Sequence, residues 1–97
     1  MKFKCIHCNI NITDIERSVD FYQKALGMKV VRTKEASDGS FILTYLNDGE
    51  SDFEIELTWL KDHPQAYELG ENESHICFEV EDYQKAYQLH KDMGCIC

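Results

Sequence analysis

Apolar and polar residues alternate from the start of the chain. Ile6, Cys8, Ile10 and Ile12 fall on one face of an extended segment, and Cys5, His7, Asn9, Asn11 and Thr13 on the other. That pattern predicts a strand with one face toward a core. The period then lengthens. Thr13-Asp14-Ile15-Glu16 reads as a capping box in which Thr13 caps and Glu16 reaches back. Ile15, Val19, Tyr22 and Leu26 form the apolar stripe of a helix, and Gly27 stops it. Three shorter strands are predicted over 28–33, 40–47 and 53–60, separated by the turn signals Asp38-Gly39 and Asn47-Asp48-Gly49. In the last of them Phe53, Ile55, Leu57 and Trp59 oppose Glu54, Glu56 and Thr58. The polar stretch 61–73 holds the only proline, Pro64, and reads as a connection. Beyond it the pattern predicts a strand over 74–80, with Ile76, Phe78 and Val80 opposite His75, Cys77 and Glu79. Asp82 then opens a second helix carrying Tyr83, Ala86, Tyr87, His90 and Met93 on one side, and Gly94 ends it.

The two strand–helix units repeat one another. His7 precedes Asp14 by seven residues and His75 precedes Asp82 by seven; glycines follow those aspartates by thirteen and twelve. Only the first unit continues through three more strands, so the second is an incomplete copy. This gives one domain over 1–97, with module one at 1–60, a connection at 61–73 and a partial module two at 74–97.

Composition narrows the function classes. A net charge of −8 disfavours nucleic-acid backbone binding. The charge is also uneven: residues 1–48 sum to +1 and residues 49–97 to −9. No apolar run approaches the roughly 20 residues that span a bilayer, which argues against a membrane protein. Five cysteines without a secretory signal suit a reduced, cytoplasmic chain better than a disulfide scaffold.

His7, Glu56 and His75 come from three predicted strands, each on the face opposite its strand's apolar residues. If the strands share one curled sheet with helices on its apolar side, these three side chains share its inner face. Two imidazoles and a carboxylate suit Zn²⁺, Ni²⁺, Fe²⁺ or Co²⁺ better than Mg²⁺ or Ca²⁺. The plainer alternative is three solvated or hydrogen-bonded side chains. Cys5-Ile6-His7-Cys8 offers a competing zinc or redox reading, completed by Cys95 and Cys97. In a regular strand, however, Cys5 and Cys8 point to opposite faces, and a thioredoxin-type pair sits at a helix start. His63 and His90 read as a loop residue and a helix-boundary residue.

The sequence resembles a known family. His7, Asp14, Ser18, Asp20-Phe21-Tyr22 and Leu26-Gly27-Met28 match the opening of glyoxalase I (lactoylglutathione lyase), within the vicinal oxygen chelate superfamily. Ile55-Glu56-Leu57-Thr58, Tyr67-Glu68-Leu69-Gly70 and His75-Ile76 continue the match in order. The resemblance implies an α+β fold of paired βαβββ modules, the second incomplete in this chain. It implies Zn²⁺ or Ni²⁺ held by His7, Glu56 and His75, with Glu56 also catalytic. The implied reaction converts the hemithioacetal of a low-molecular-weight thiol and methylglyoxal to a lactoyl thioester through a metal-bound enediolate. A homodimer is implied too, each site shared between complementary modules. Three positions depart from the family. Carrying the His7-to-Glu56 offset onto His75 projects a fourth ligand beyond Cys97. Asn11 occupies the substrate-binding place of a glutathione-contacting Arg, and Leu60 that of an Asn. Another superfamily activity on a different small substrate, or a metal-free ligand-binding module, are the alternatives.

Overall fold

In the computed structural model, which describes residues 1–97, the first alternating segment is strand β1 (His7–Ile12). It leads into helix α1 (Ile15–Leu26), followed by β2 (Lys29–Glu35), β3 (Phe41–Asn47) and β4 (Glu54–Leu60). The sheet order is β1-β4-β3-β2. The β2–β3 and β3–β4 pairs are antiparallel, whereas β1 runs parallel to β4 with His7 opposite Glu54 and Asn9 opposite Glu56. This mixed sheet is the expected βαβββ module, and the α+β class stands.

One face of the sheet makes the core. Leu46, Ile55 and Leu57 are fully buried, with Ile12, Met28 and Thr44 beside them, and α1 adds Ala25. Burying a Leu or Ile side chain stabilises by about 1.5–3 kcal/mol. Burial, and after it the neighbouring Cys8 of β1, raise the Tyr22 phenol of α1 above its ordinary pKa. The other face is polar. A bulge between Val30 and Arg32 shifts the register of β2, so Arg32 rather than Val31 stands opposite Tyr45.

The α1 cap differs from the expected one. Asp14, not Thr13, holds the N-cap: its Oδ1 accepts from the Arg17 backbone N–H at 3.0 Å. A carboxylate there answers both the free N–H groups and the positive end of the helix dipole, an advantage a hydroxyl lacks. Gly27 closes the helix at φ 64°, its N–H bonding the Gln23 carbonyl at 3.0 Å.

The chain divides into two compact units, residues 1–67 and residues 68–97. The second contains α2 (Tyr83–Asp92), capped as expected by Asp82, whose Oδ1 accepts from Lys85 N–H at 3.1 Å. Gly94 follows the helix at φ 70°. The expected strand over 74–80 is not formed. Alternation supplies faces but no ladder; a strand needs a neighbour for its N–H and C=O groups, and this segment has none. Ile76 and Val80 are accordingly exposed. The stripe of α2 is also open, with Tyr83 and Tyr87 exposed and their rings 6.3 Å apart.

Candidate functional site

The polar face of the sheet is built from alternate residues of every strand. One cross-strand row runs Asn9 (β1), Glu56 (β4), Tyr45 (β3), Arg32 (β2). His7 and Asn11 flank Asn9 on β1, and Glu54 and Thr58 flank Glu56 on β4, so all of them share this face.

Glu56 is its centre. Its Oε2 lies 3.5 Å from His7 Nε2, and its Oε1 lies 3.2 Å from the Thr58 hydroxyl. The Thr58 hydroxyl also bonds Asn9 Oδ1, and Asn9 Nδ2 donates to Asn11 Oδ1 at 2.8 Å. On the other side stands Tyr45, buried at 7% exposure. A hydrogen bond to the Glu56 carboxylate, burial and the charge of Glu56 together raise its phenol above the ordinary tyrosine range. The Arg32 guanidinium lies 3.6 Å above the Tyr45 ring centroid and bonds Glu54 Oε1 at 2.8 Å. Hydrogen bonding to Glu54 raises the pKa of Arg32 further, so its charge is fixed. The His7 ring meets Tyr45 edge-on at 6.1 Å.

The His7–Glu56 spacing suits a shared metal better than a direct bond. At 3.5 Å the pair is long for a charge-assisted hydrogen bond. Two ligand atoms about 2.1 Å from one tetrahedral ion lie roughly 3.4 Å apart. Imidazole nitrogen and carboxylate oxygen are the donors that Zn²⁺ and Ni²⁺ accept. His75 belongs to the second unit, where it is exposed. No group of three or more His, Cys, Asp or Glu side chains suited to a metal is gathered within the chain.

The remaining candidates fall elsewhere. All five cysteines are free. Burial pushes the Cys8 thiol up, which is the condition of a packed thiol and not of a reactive thiolate. His63 stacks on Tyr67 with ring centroids 3.9 Å apart. Asn11 does lie on the site face, but its amide is engaged by Asn9. Sequence reading missed Tyr45 and Arg32 altogether. The Asn47-Asp48-Gly49 signal held the clue to Tyr45, because stepping back along the β3–β4 hairpin from that turn sets it opposite Glu56. Nothing in the sequence marks the bulge that brings Arg32 to the row.

Comparison with known proteins adds a family. The model described as "Glyoxalase/Bleomycin resistance protein/Dioxygenase superfamily" matches residues 4–96. A lactoylglutathione lyase of Neisseria meningitidis is 37% identical over 93 residues, covering 94% of this chain and 67% of that protein. One from Haemophilus influenzae is 41% identical over 81 residues, covering 79% of this chain and 58% of that protein. Among solved structures, the trypanothione-dependent glyoxalase I of Leishmania major superposes with a TM-score of 0.86 at 28% identity. That match covers 96% of this chain and 68% of the Leishmania chain. The chain therefore spans about two-thirds of the length of such relatives, and less of the Haemophilus protein.

Proposed function

Because the chain belongs to the glyoxalase/bleomycin resistance protein/dioxygenase superfamily, and is lactoylglutathione lyase-like in its relatives, we propose that it is a metal-dependent lyase of the glyoxalase I type. Its substrate is the hemithioacetal of methylglyoxal and a low-molecular-weight thiol, and its product the lactoyl thioester. The observation that carries this reading is the His7–Glu56 pair, 3.5 Å apart on the polar face of the sheet.

The reaction is an isomerisation. A proton leaves the carbon bearing sulfur and returns to the neighbouring carbonyl carbon, while the hydroxyl proton passes from the oxygen of the first carbon to that of the second; the first carbon is oxidised and the second reduced, so no outside oxidant is needed. A bound Zn²⁺ or Ni²⁺ would act as a Lewis acid on the substrate oxygens. His7 and Glu56 would hold the ion, and the Glu56 carboxylate would take the proton and return it. Tyr45 keeps solvent from one side of that carboxylate, being buried beneath Arg32. Asn11 is neutral where a cation would favour an anionic thiol, which leaves the face open to thiols with fewer carboxylates.

Reconstituted with Zn²⁺ or Ni²⁺, the chain is expected to form lactoyl thioester from methylglyoxal with at least one member of a thiol panel including glutathione and trypanothione. Glu56→Gln is expected to lower kcat by about 100-fold or more. Metal binding without thioester from any thiol would overturn the reaction assigned.

The first unit supplies two ligands, and a divalent site needs more. In the proposed homodimer His75 of the partner subunit completes the site, giving two sites per dimer. Mixing a His7→Ala/Glu56→Ala chain with a His75→Ala chain should restore up to one metal site per heterodimer. A verified heterodimer that regains no metal would refute sharing. The compartment proposed is the cytoplasm, consistent with five free thiols. No helix is long and apolar enough to cross a membrane.

A further inference from the structure

The site face changes character along its strands. Past the row of Glu56 and Tyr45, the next cross-strand row is Asn11, Thr58, Leu43 and Lys34, and beyond it Leu60 stands opposite Phe41. The two-residue period puts all of these side chains on the face of Glu56. Phe41-Ile42-Leu43 and Trp59-Leu60 are unbroken apolar runs, so β3 and β4 are apolar on both faces there. Ile42 pairs with Trp59 on the core side. Phe41, Leu43 and Leu60 are left half-buried on the other.

The lysine and arginine side chains of this face are committed differently. Arg32 is bonded to Glu54 at 2.8 Å and covers Tyr45. Lys29 stands opposite Asn47, in the row of Glu54. Lys34, opposite Leu43, is exposed and has neither an ion pair nor a hydrogen bond. No carboxylate shares its row or the row beyond, so the far end of the face has a single charge, and it is positive. Apolar side chains scattered singly on a surface need no ligand. Here three adjoin one another, adjoin the Glu56 row, and border an uncommitted ammonium. Small-molecule sites are composed in that way, an apolar lining with a few placed polar groups.

We propose that this end of the face is the subsite for the thiol half of the substrate, and that Lys34 with Phe41, Leu43 and Leu60 selects a thiol with an apolar body and one anionic group. The proposal rests on the lyase reading above and deepens it by naming the thiol class. Lys34 lies one row along and two strands across from Glu56, roughly 12 Å between backbones. A substrate reacting beside Glu56 lays its hydrocarbon over Leu43 and Leu60 and brings its anion to Lys34. Asn11 and Thr58 are both bonded to Asn9 and add no charge. A peptide thiol with two carboxylates, such as glutathione, is disfavoured, because its polar groups would lie unpaired against the apolar lining.

Two measurements on the full 97-residue chain test this, the first without metal or catalysis. Octanoate is titrated into the ¹³C-labelled chain while the leucine and valine methyl resonances are followed. It should shift Leu43 and Leu60 saturably and leave Val30 and Val31, exposed on β2, in place. Octylammonium, equal in chain length and opposite in charge, should bind at least about fivefold more weakly. Lys34→Gln removes a charge that has no partner in the fold, and the two compounds should then bind equally within about twofold. Leu60→Asn should weaken octanoate about tenfold, by setting an amide against its chain. Octanoate that moves neither leucine, or that binds Lys34→Gln as tightly as the parent, overturns the proposal. The second measurement follows thioester formation from methylglyoxal by the chain loaded with Zn²⁺ or Ni²⁺. The kcat/KM with 8-mercaptooctanoate should exceed that with glutathione by about tenfold or more, and Lys34→Glu should cancel the advantage. A preference for glutathione overturns the thiol class assigned. Octanoate bound as expected with thioester formed from no thiol means that the lyase reading has failed, while the subsite for an anionic amphiphile stands.

Discussion

The carboxylate of Glu56 shows how much one residue's strand position settles. Alternation in 53–60 placed it on the polar face with Thr58, and alternation in 6–13 placed His7, Asn9 and Asn11 on the matching face of β1. Their meeting depends on parallel pairing of β1 with β4, a contact between segments far apart in sequence. Periodicity carries faces and not partners, so His7 and Glu56 were legible as candidates while the Thr58–Asn9 bond was not. Asp48 lends itself to a cleaner prediction. Its carboxylate accepts from the N–H groups of Glu50 at 2.8 Å and Ser51 at 2.9 Å, and these bonds, that to Ser51 foremost, hold its pKa below the ordinary value. A depressed carboxylate pKa means stability that is present above the ordinary aspartate pKa and is lost as pH falls through the lower folded value. Asp48→Ala should therefore cost about 1 kcal/mol or less at neutral pH, given its solvent access. It should also flatten the acid limb of a plot of Tm against pH, and an unchanged acid limb would count against this role.

Among the elements, β2 is the informative one. All seven of its residues are exposed, so burial does not fix its register. The extra residue of its bulge does: skipping Val31 turns Arg32 onto the polar face, over Tyr45 and against Glu54. Deleting Val31 should straighten the pair and leave Arg32 opposite Tyr45, because Val30 and Arg32 would then face Leu46 and Tyr45 in succession. The expected result is a folded chain that keeps the Arg32–Tyr45 stack, read as a retained tyrosine near-ultraviolet circular dichroism signal. Loss of the parental signal in the folded variant would mean that the distortion of the bulge, and not the register alone, aims Arg32 over the ring. The second helix teaches the complementary lesson. Asp82 and Gly94 announced α2, and the Thr13–Glu16 box with Gly27 announced α1 although its cap falls one residue on at Asp14, because caps are local chemistry. The strand over 74–80 failed where α2 succeeded because a helix satisfies its own backbone and a strand must borrow a neighbour.

Across the whole molecule, the βαβββ order of the first unit was readable from sequence, and a neighbour with the glyoxalase fold agrees. The parallel β1–β4 pair has a further consequence, and it concerns time. Strands β2, β3 and β4 follow one another as hairpins, and such short-range contacts close within microseconds. Strand β1 must wait for β4, its Cα partners lying 47 residues away in register, and longer closure costs more chain entropy and slows assembly. His7 and Glu56 are therefore expected to come within reach of one another late in folding and to separate early in opening. Amide hydrogens of β1 should exchange through a smaller opening free energy than those of β3, whose neighbours lie on both sides. Equal protection in the two strands, measured by native-state exchange, would contradict that order. An ion held between β1 and β4 would bind only the closed form, so loading it would act as a latch, slowing the release of the N-terminal strand while leaving the rate of hairpin formation untouched.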